Sequence, residues 1–99
     1  MYAAVRRYEG VTDPAEAGRV VNERFVPLMR EVSGFVAYYW LDAGDGVMVS
    51  TSVFQDRAGA EESISKATDF VRDHLASLLP NPPQVMAGEV VASAWQAAD

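Results

Sequence analysis

Four stretches of the chain read as strands: Tyr2 to Glu9, Phe35 to Asp42, Val47 to Phe54 and Gln84 to Ser93. In them, apolar and aromatic side chains fill both alternating registers. A sheet with one wet face needs only one apolar register. The second implies that both faces are covered. Val47 to Phe54 shows this best, with Val47, Val49, Thr51 and Val53 in one register and Met48, Ser50, Ser52 and Phe54 in the other.

Two helices lie between the strands. Asp13-Pro14-Ala15-Glu16 sets an N-cap acceptor, a first-turn proline and a capping-box carboxylate at the spacing of a helix start. Ala17, Val21, Phe25, Leu28 and Val32 then make one apolar stripe, with Arg19, Glu23, Arg30 and Glu31 largely off it. Pro27 removes a backbone donor inside this helix, so a kink or break is expected near Glu23 to Arg24. Ser33-Gly34 ends it. Asp56 caps the second helix, Glu61 and Glu62 favour its positive end, and Ala60, Ile64, Ala67, Val71, Leu75 and Leu78 form its stripe. Pro80, Pro82 and Pro83 stop it.

Ala43-Gly44-Asp45-Gly46 supplies the positive φ angles of a tight hairpin turn between the two central strands. If Asp42 pairs with Val47, then Val36, Tyr38 and Trp40 share a face with Val47, Val49, Thr51 and Val53. Phe35, Ala37, Tyr39 and Leu41 then join Met48, Ser50, Ser52 and Phe54. Gly88 marks a possible bulge or close approach in the last strand. The tail Ala94 to Asp99 is expected to fray, with Trp95 as its one anchor.

The order β-α-β-β-α-β predicts an α+β, ferredoxin-like fold over residues 1–99 as a single domain. Its four-stranded antiparallel sheet carries both helices on one face. They cover one apolar register. Leaving the other wet sacrifices about 1.5–3 kcal/mol for each large apolar side chain, and a patch of that size exceeds what monomers usually expose. A second copy packed face to face is the expected cover, giving a homodimer through the open sheet face.

Ninety-nine residues, 49% hydrophobic and 22% charged, suit one small domain. The net charge of −6 is scattered without basic blocks, so no nucleic-acid partner is expected. There are no cysteines, hence no disulfide or thiolate metal site. With no signal-like opening and no apolar run near the roughly 18 residues of a membrane span, the expectation is a soluble cytoplasmic protein without a membrane partner.

Several stretches carry a resemblance: Pro27-Leu28 through Ser33-Gly34-Phe35, the hairpin Leu41 to Val49 with its Gly-Asp-Gly turn, and Val53-Phe54-Gln55-Asp56 leading into Ala60-Glu61-Glu62-Ser63. Over about residues 2–93 the pattern resembles the dimeric α/β-barrel superfamily, within it the antibiotic-biosynthesis monooxygenases and stress-responsive barrel domains. The resemblance implies a homodimer with a pocket between the sheet and helices of each subunit. It also implies activities such as cofactor-free oxygenation of polycyclic phenols. Haem degradation is the weaker implication: that branch is similar in using a first-strand asparagine, a tryptophan and a second-helix histidine. Here His74 is present, but strand one has no asparagine and no tryptophan lies between Phe54 and His74. No cofactor is therefore expected.

His74 is the only histidine, so no multi-histidine metal site can form. On a helical wheel it borders the second apolar stripe, where it serves as the candidate general base or as a solvated helix-edge residue. Tyr38 and Trp40 point to one side of the sheet and Tyr39 to the other, as walls for a flat hydrophobic aromatic ligand or as packing. One of Arg6 and Arg7 faces inward, to hold an anionic substrate or to pair Glu89 across the sheet. Ser50 and Ser52 interrupt an apolar register, as a pocket wall or to relieve crowding. Asn22 borders the first stripe. No nucleophile elbow or phosphate loop is present.

Three readings follow. The chain is a small oxygenase or related enzyme acting on a hydrophobic aromatic substrate, a non-catalytic ligand-binding or stress-associated barrel, or a structural domain whose only partner is itself.

Overall fold

The computed structural model describes residues 1–96. Strand β1 (Tyr2–Tyr8) runs along the sheet centre; β2 (Phe35–Gly44) and β3 (Val47–Phe54) form the hairpin, and β4 (Gln84–Glu89) closes the far edge. The order is β2-β3-β1-β4 with every neighbour antiparallel, the expected ferredoxin-like arrangement. No helix among the described residues is long and apolar enough to cross a membrane.

The first helical rod has three parts: α1 (Pro14–Val20), a π-helical segment (Val21–Phe25) and α2 (Val26–Arg30). Asp13 caps it by accepting from the Glu16 N–H. Pro27 cannot donate to Glu23, and the chain answers with a wider turn in which the Val26 N–H reaches back to the Val21 carbonyl. The interruption expected near Glu23 to Arg24 is this π-helical turn. The second rod, α3 (Arg57–Phe70) and a π-helical segment (Val71–Leu75), is capped by Asp56, which accepts from the Gly59 N–H. Both rods lie on one face of the sheet. Tyr8, Met29, Phe54 and Leu75 are the largest side chains buried between the layers.

The hairpin register corrects the expected one. Strand β2 continues to Gly44, and the turn is only Asp45-Gly46, both with positive φ (54° and 75°) as a two-residue turn of mirror-image type requires. Gly44, at φ 86°, takes up an irregularity that the Asp42 carboxylate stabilises by accepting from the Gly44 N–H at 2.9 Å. Asp42 therefore pairs with Met48 instead of Val47. A one-residue shift moves every side chain to the other face. Tyr38 and Trp40 now share the helix-covered face with Ser52 and Ser50, while Ala37, Tyr39 and Leu41 join Val53, Thr51 and Val49 on the open one.

Two further expectations are corrected at the C-terminal end. Strand β4 stops at Glu89, after which the Val90 N–H donates to the Met1 carbonyl, the one backbone bond to the sheet among residues 90–96. Gly88 pairs regularly with Ala3, and a Cβ there would meet nothing within 4 Å, so it is neither bulge nor close approach. Trp95 is 77% exposed. The fraying expected of the tail concerns, at positions 97–99, residues outside the described ones.

The open face is apolar, and the tail residues Ser93, Ala94 and Trp95 border a hollow beside its Ala37, Tyr39 and Val53. Tyr39, Leu41 and Met86 are exposed, with Val5, Val49 and Val53 half-buried between them.

Candidate functional site

The sheet floor beneath the helices carries Arg6 and Tyr8 from β1, Tyr38 and Trp40 from β2, and Ser50 and Ser52 from β3. The register shift brings them together. Over them lie Phe25 and Met29 of the first rod, and Ser63, Ala67 and Phe70 of the second. Large rings alternate with Ala4, Ala67 and the three serines, and small residues between large ones leave unfilled space. The partly open cavity has about 20 Å³ of room for the centre of a water-sized sphere. That suffices for a water molecule but not for an aromatic ring.

Beside it, between the second rod, the 79–83 loop and Val85 of β4, lies a shallow groove, open to the surface, of about 490 Å³ on the same measure. Arg6, Ile64 and Val71 border both spaces. A ligand-sized volume thus adjoins the aromatic chamber, with these three side chains at the junction.

The rings form a continuous set. Tyr8 and Trp40 lie 5.6 Å apart between centroids, Phe25 and Tyr38 5.5 Å, and Phe25 and Phe70 5.0 Å. Such tilted and edge-on pairs stabilise the packing beyond the area they bury. Arg6 is buried at 7% exposure, and its Nε donates to the Tyr8 hydroxyl oxygen at 2.9 Å. The Ser52 hydroxyl donates to the Ala4 carbonyl at 3.4 Å, and that of Ser63 to the Ala60 carbonyl at 2.7 Å. Among the described residues Trp40 Nε1 is buried without an acceptor.

Of the seven candidate residues, Arg6, Tyr38, Trp40, Ser50 and Ser52 line the cavity. His74 and Asn22 do not. His74 is exposed on the outer side of the second rod, its ring 4.8 Å from that of Phe70, in a shallow hollow shared with Leu28, Lys66, Asp69 and Asp73. Asn22 is exposed on the first rod. The expected Glu89 pairing is also corrected: Arg7 bonds Glu9, and Glu89 lies opposite Tyr2 at the sheet edge. Tyr8 and Ser63 are lining residues that sequence reasoning missed. Tyr8 has the parity of Arg6 along β1, and Ser63 falls in helical phase with Ala60 and Ala67, so a polar residue on the buried stripe was the available signal.

Among the described residues no carboxylate or imidazole lines the cavity. Its polar groups are a guanidinium, two phenols, an indole and hydroxyls, all able to donate. Burial pushes the Tyr38 phenol above its ordinary value; Ser50 opposes this, Tyr8 adds to it, and Arg6 opposes it. Tyr38 is therefore a neutral donor at physiological pH.

Below about pH 10 the phenol is neutral in folded and unfolded chains alike, and the stabilisation is fully present. As pH rises further the unfolded chain ionises first, so stability falls by up to about 1.4 kcal/mol per pH unit until the folded value is passed. Urea unfolding from about pH 9 to pH 11 is expected to show this slope in the native chain and a shallower one in Tyr38→Phe. Equal slopes would remove Tyr38 as the cause.

No protein-family model matches the sequence, and no curated protein does. Solved structures do. A protein of unknown function from Nitrosomonas europaea, NE2512, is similar at TM-score 0.78 and 23% identity, over 98% of this chain and 95% of its own. The monooxygenase from the gene ActVA-Orf6 of Streptomyces coelicolor, solved with the ligand nanaomycin D, is similar at 0.74 and 19%, over 97% and 92%. SnoaB, a cofactor-independent oxygenase from Streptomyces nogalater, is similar at 0.70 and 19%, over 93% and 94%. The likeness expected from the sequence is thus present in the fold, which is that of antibiotic-biosynthesis-monooxygenase-like proteins.

Proposed function

We propose that the protein is a homodimeric α/β barrel, each chain one domain, that binds a flat hydrophobic aromatic molecule beneath its helices and oxygenates it without a cofactor. The observation that carries this reading is the assembly of Arg6, Tyr8, Tyr38 and Trp40 on one buried wall, with the large groove opening beside it. The apolar side chains of the groove supply affinity, and Arg6 at its junction with the chamber fixes orientation. The fold shared with SnoaB, described as a cofactor-independent oxygenase, supports the chemistry.

Such a reaction draws its electrons from the substrate. In an anthrone, oxidation of the ring CH2 to a carbonyl gives up four electrons, which reduce one O2. One oxygen atom becomes the new carbonyl and the other leaves as water, taking both hydrogens. The protein's part is to favour the electron-rich, deprotonated ring and to exclude bulk water. Arg6 and the neutral phenol of Tyr38 suit the first role as donors toward a developing oxyanion.

A second reading, ligand binding without catalysis, has one specific observation in its favour: among the described residues the cavity wall holds no carboxylate or imidazole, and His74 faces outward. Oxygen consumption separates the two. With anthrone in air-saturated buffer and no added cofactor, the protein is expected to consume one O2 per anthraquinone formed, and Tyr38→Phe or Trp40→Ala to slow this by about 10-fold or more. Anthrone binding without faster O2 uptake would leave a binding barrel. His74→Ala is expected to leave turnover unchanged, because the side chain lies outside the chamber.

A further inference from the structure

Arg6 is a buried cation without a counter-ion. Its Nε is used on Tyr8, and among the described residues no carboxylate oxygen lies within 4.0 Å of its guanidinium. Arg7, Arg19, Arg57 and Arg72, all far more exposed, each have such a partner. The distribution is inverted from what stability alone favours. A guanidinium keeps its charge at any accessible pH, and withdrawing it from water unpaired costs several kcal/mol. An anion that arrives from outside offsets that cost.

The surroundings narrow its chemistry. Arg6 borders both the small chamber and the groove, so a group bonded to it has only the groove to hold the rest of its molecule. The groove wall is largely apolar, with Ile64, Val71, Leu79, Pro82, Pro83 and Val85. A planar guanidinium fork matches a carboxylate, which it can bond through two parallel N–H groups. A phosphate asks for more positive charge: the other cation on the groove, Arg72, already pairs with Asp69 and Asp73. Trp40 Nε1, on the same sheet face, is a second donor lacking an acceptor among the described residues.

We propose that Arg6 anchors the carboxylate of an organic acid whose apolar body, two or three rings in size, lies in the groove between the second helical rod and β4. This deepens the proposed function and rests on its premise that the space beneath the helices is a ligand site. The net charge of −6 gives no long-range attraction for such a ligand, so recognition is local to Arg6.

Calorimetric titration with 2-naphthoate and its neutral isostere 2-naphthamide tests this. The acid is expected to bind about 10–100-fold more tightly than the amide. Arg6→Met should erase that preference, Arg6→Lys should keep part of it, and Arg30→Gln, at an exposed unpaired arginine, should leave it intact. The Arg6 Nε–H resonance of the native chain should move with naphthoate far more than with naphthamide, a readout that stands even if Arg6→Met fails to fold. Equal affinities for acid and amide, or a preference that survives Arg6→Met, would overturn the carboxylate anchor while leaving the ligand site in place. Binding of neither probe would overturn both.

Discussion

With Tyr39→Glu and Leu41→Glu combined, the protein is expected to run in light scattering at the mass of one chain, 10.8 kDa, where the native chain runs at twice that. Both residues are more than half exposed in the single chain, at 61% and 52%, so the substitutions cost its own fold little. A second copy placed over the sheet changes their environment completely. Each large apolar side chain so covered contributes about 1.5–3 kcal/mol, and each glutamate buried there without a partner costs several more. A two-fold axis doubles every loss. The combined effect exceeds roughly 1,000-fold in dissociation constant. A native chain that stays at 10.8 kDa at micromolar concentration would contradict the covered face.

Phe54→Ala is expected to cost about 3–5 kcal/mol, a large part of the roughly 5–15 kcal/mol that holds a domain of this kind together. Phe54 ends β3, is fully buried, and packs its ring 6.0 Å from that of Phe35. The second rod presses on it closely: a Cβ added at Gly59 would lie 3.2 Å from the Phe54 Cβ and 2.7 Å from the Ser33 carbonyl oxygen. Helix and sheet cannot settle further to fill the gap. At roughly 4–8 °C per kcal/mol, the melting temperature should fall by about 12–40 °C. A loss below about 1 kcal/mol would show that this junction is not tightly packed. Because Phe54 does not line the cavity, chain that remains folded should keep its affinity for naphthoate.

The elements and their order were legible because each has a local cause. Asp13 and Asp56 cap the rods, Pro27 forces the wider turn, and the glycines near Asp45 close the hairpin. The pairing register was not, and it decides the site. Nothing in the alternation of Phe35 to Asp42 tells whether Gly44 belongs to the turn or to the strand; the Asp42 bond to the Gly44 N–H settles that. Without it Tyr38 and Trp40 are placed away from Ser50 and Ser52, although all four line one chamber.

The reading of individual residues left open which of Arg6 and Arg7 faces the helices; the structure places Arg6 there. That reading fell short at the helix margins. Asn22 and His74 each lie within a π-helical segment, where the 3.6-residue period behind a helical wheel no longer holds. Tyr8 was passed over because the strand was read for its arginines, and Ser63 because the stripe was read for its apolar members.

A crystal structure grown with 2-naphthoate puts the whole arrangement to one test. The expected density shows the carboxylate on Arg6 and the rings between Ile64, Val71 and Val85, with Tyr39, Leu41 and Met86 buried against a second copy. Naphthoate seated on the Tyr39 and Leu41 face, with Arg6 still unpaired beneath closed helices, would contradict it.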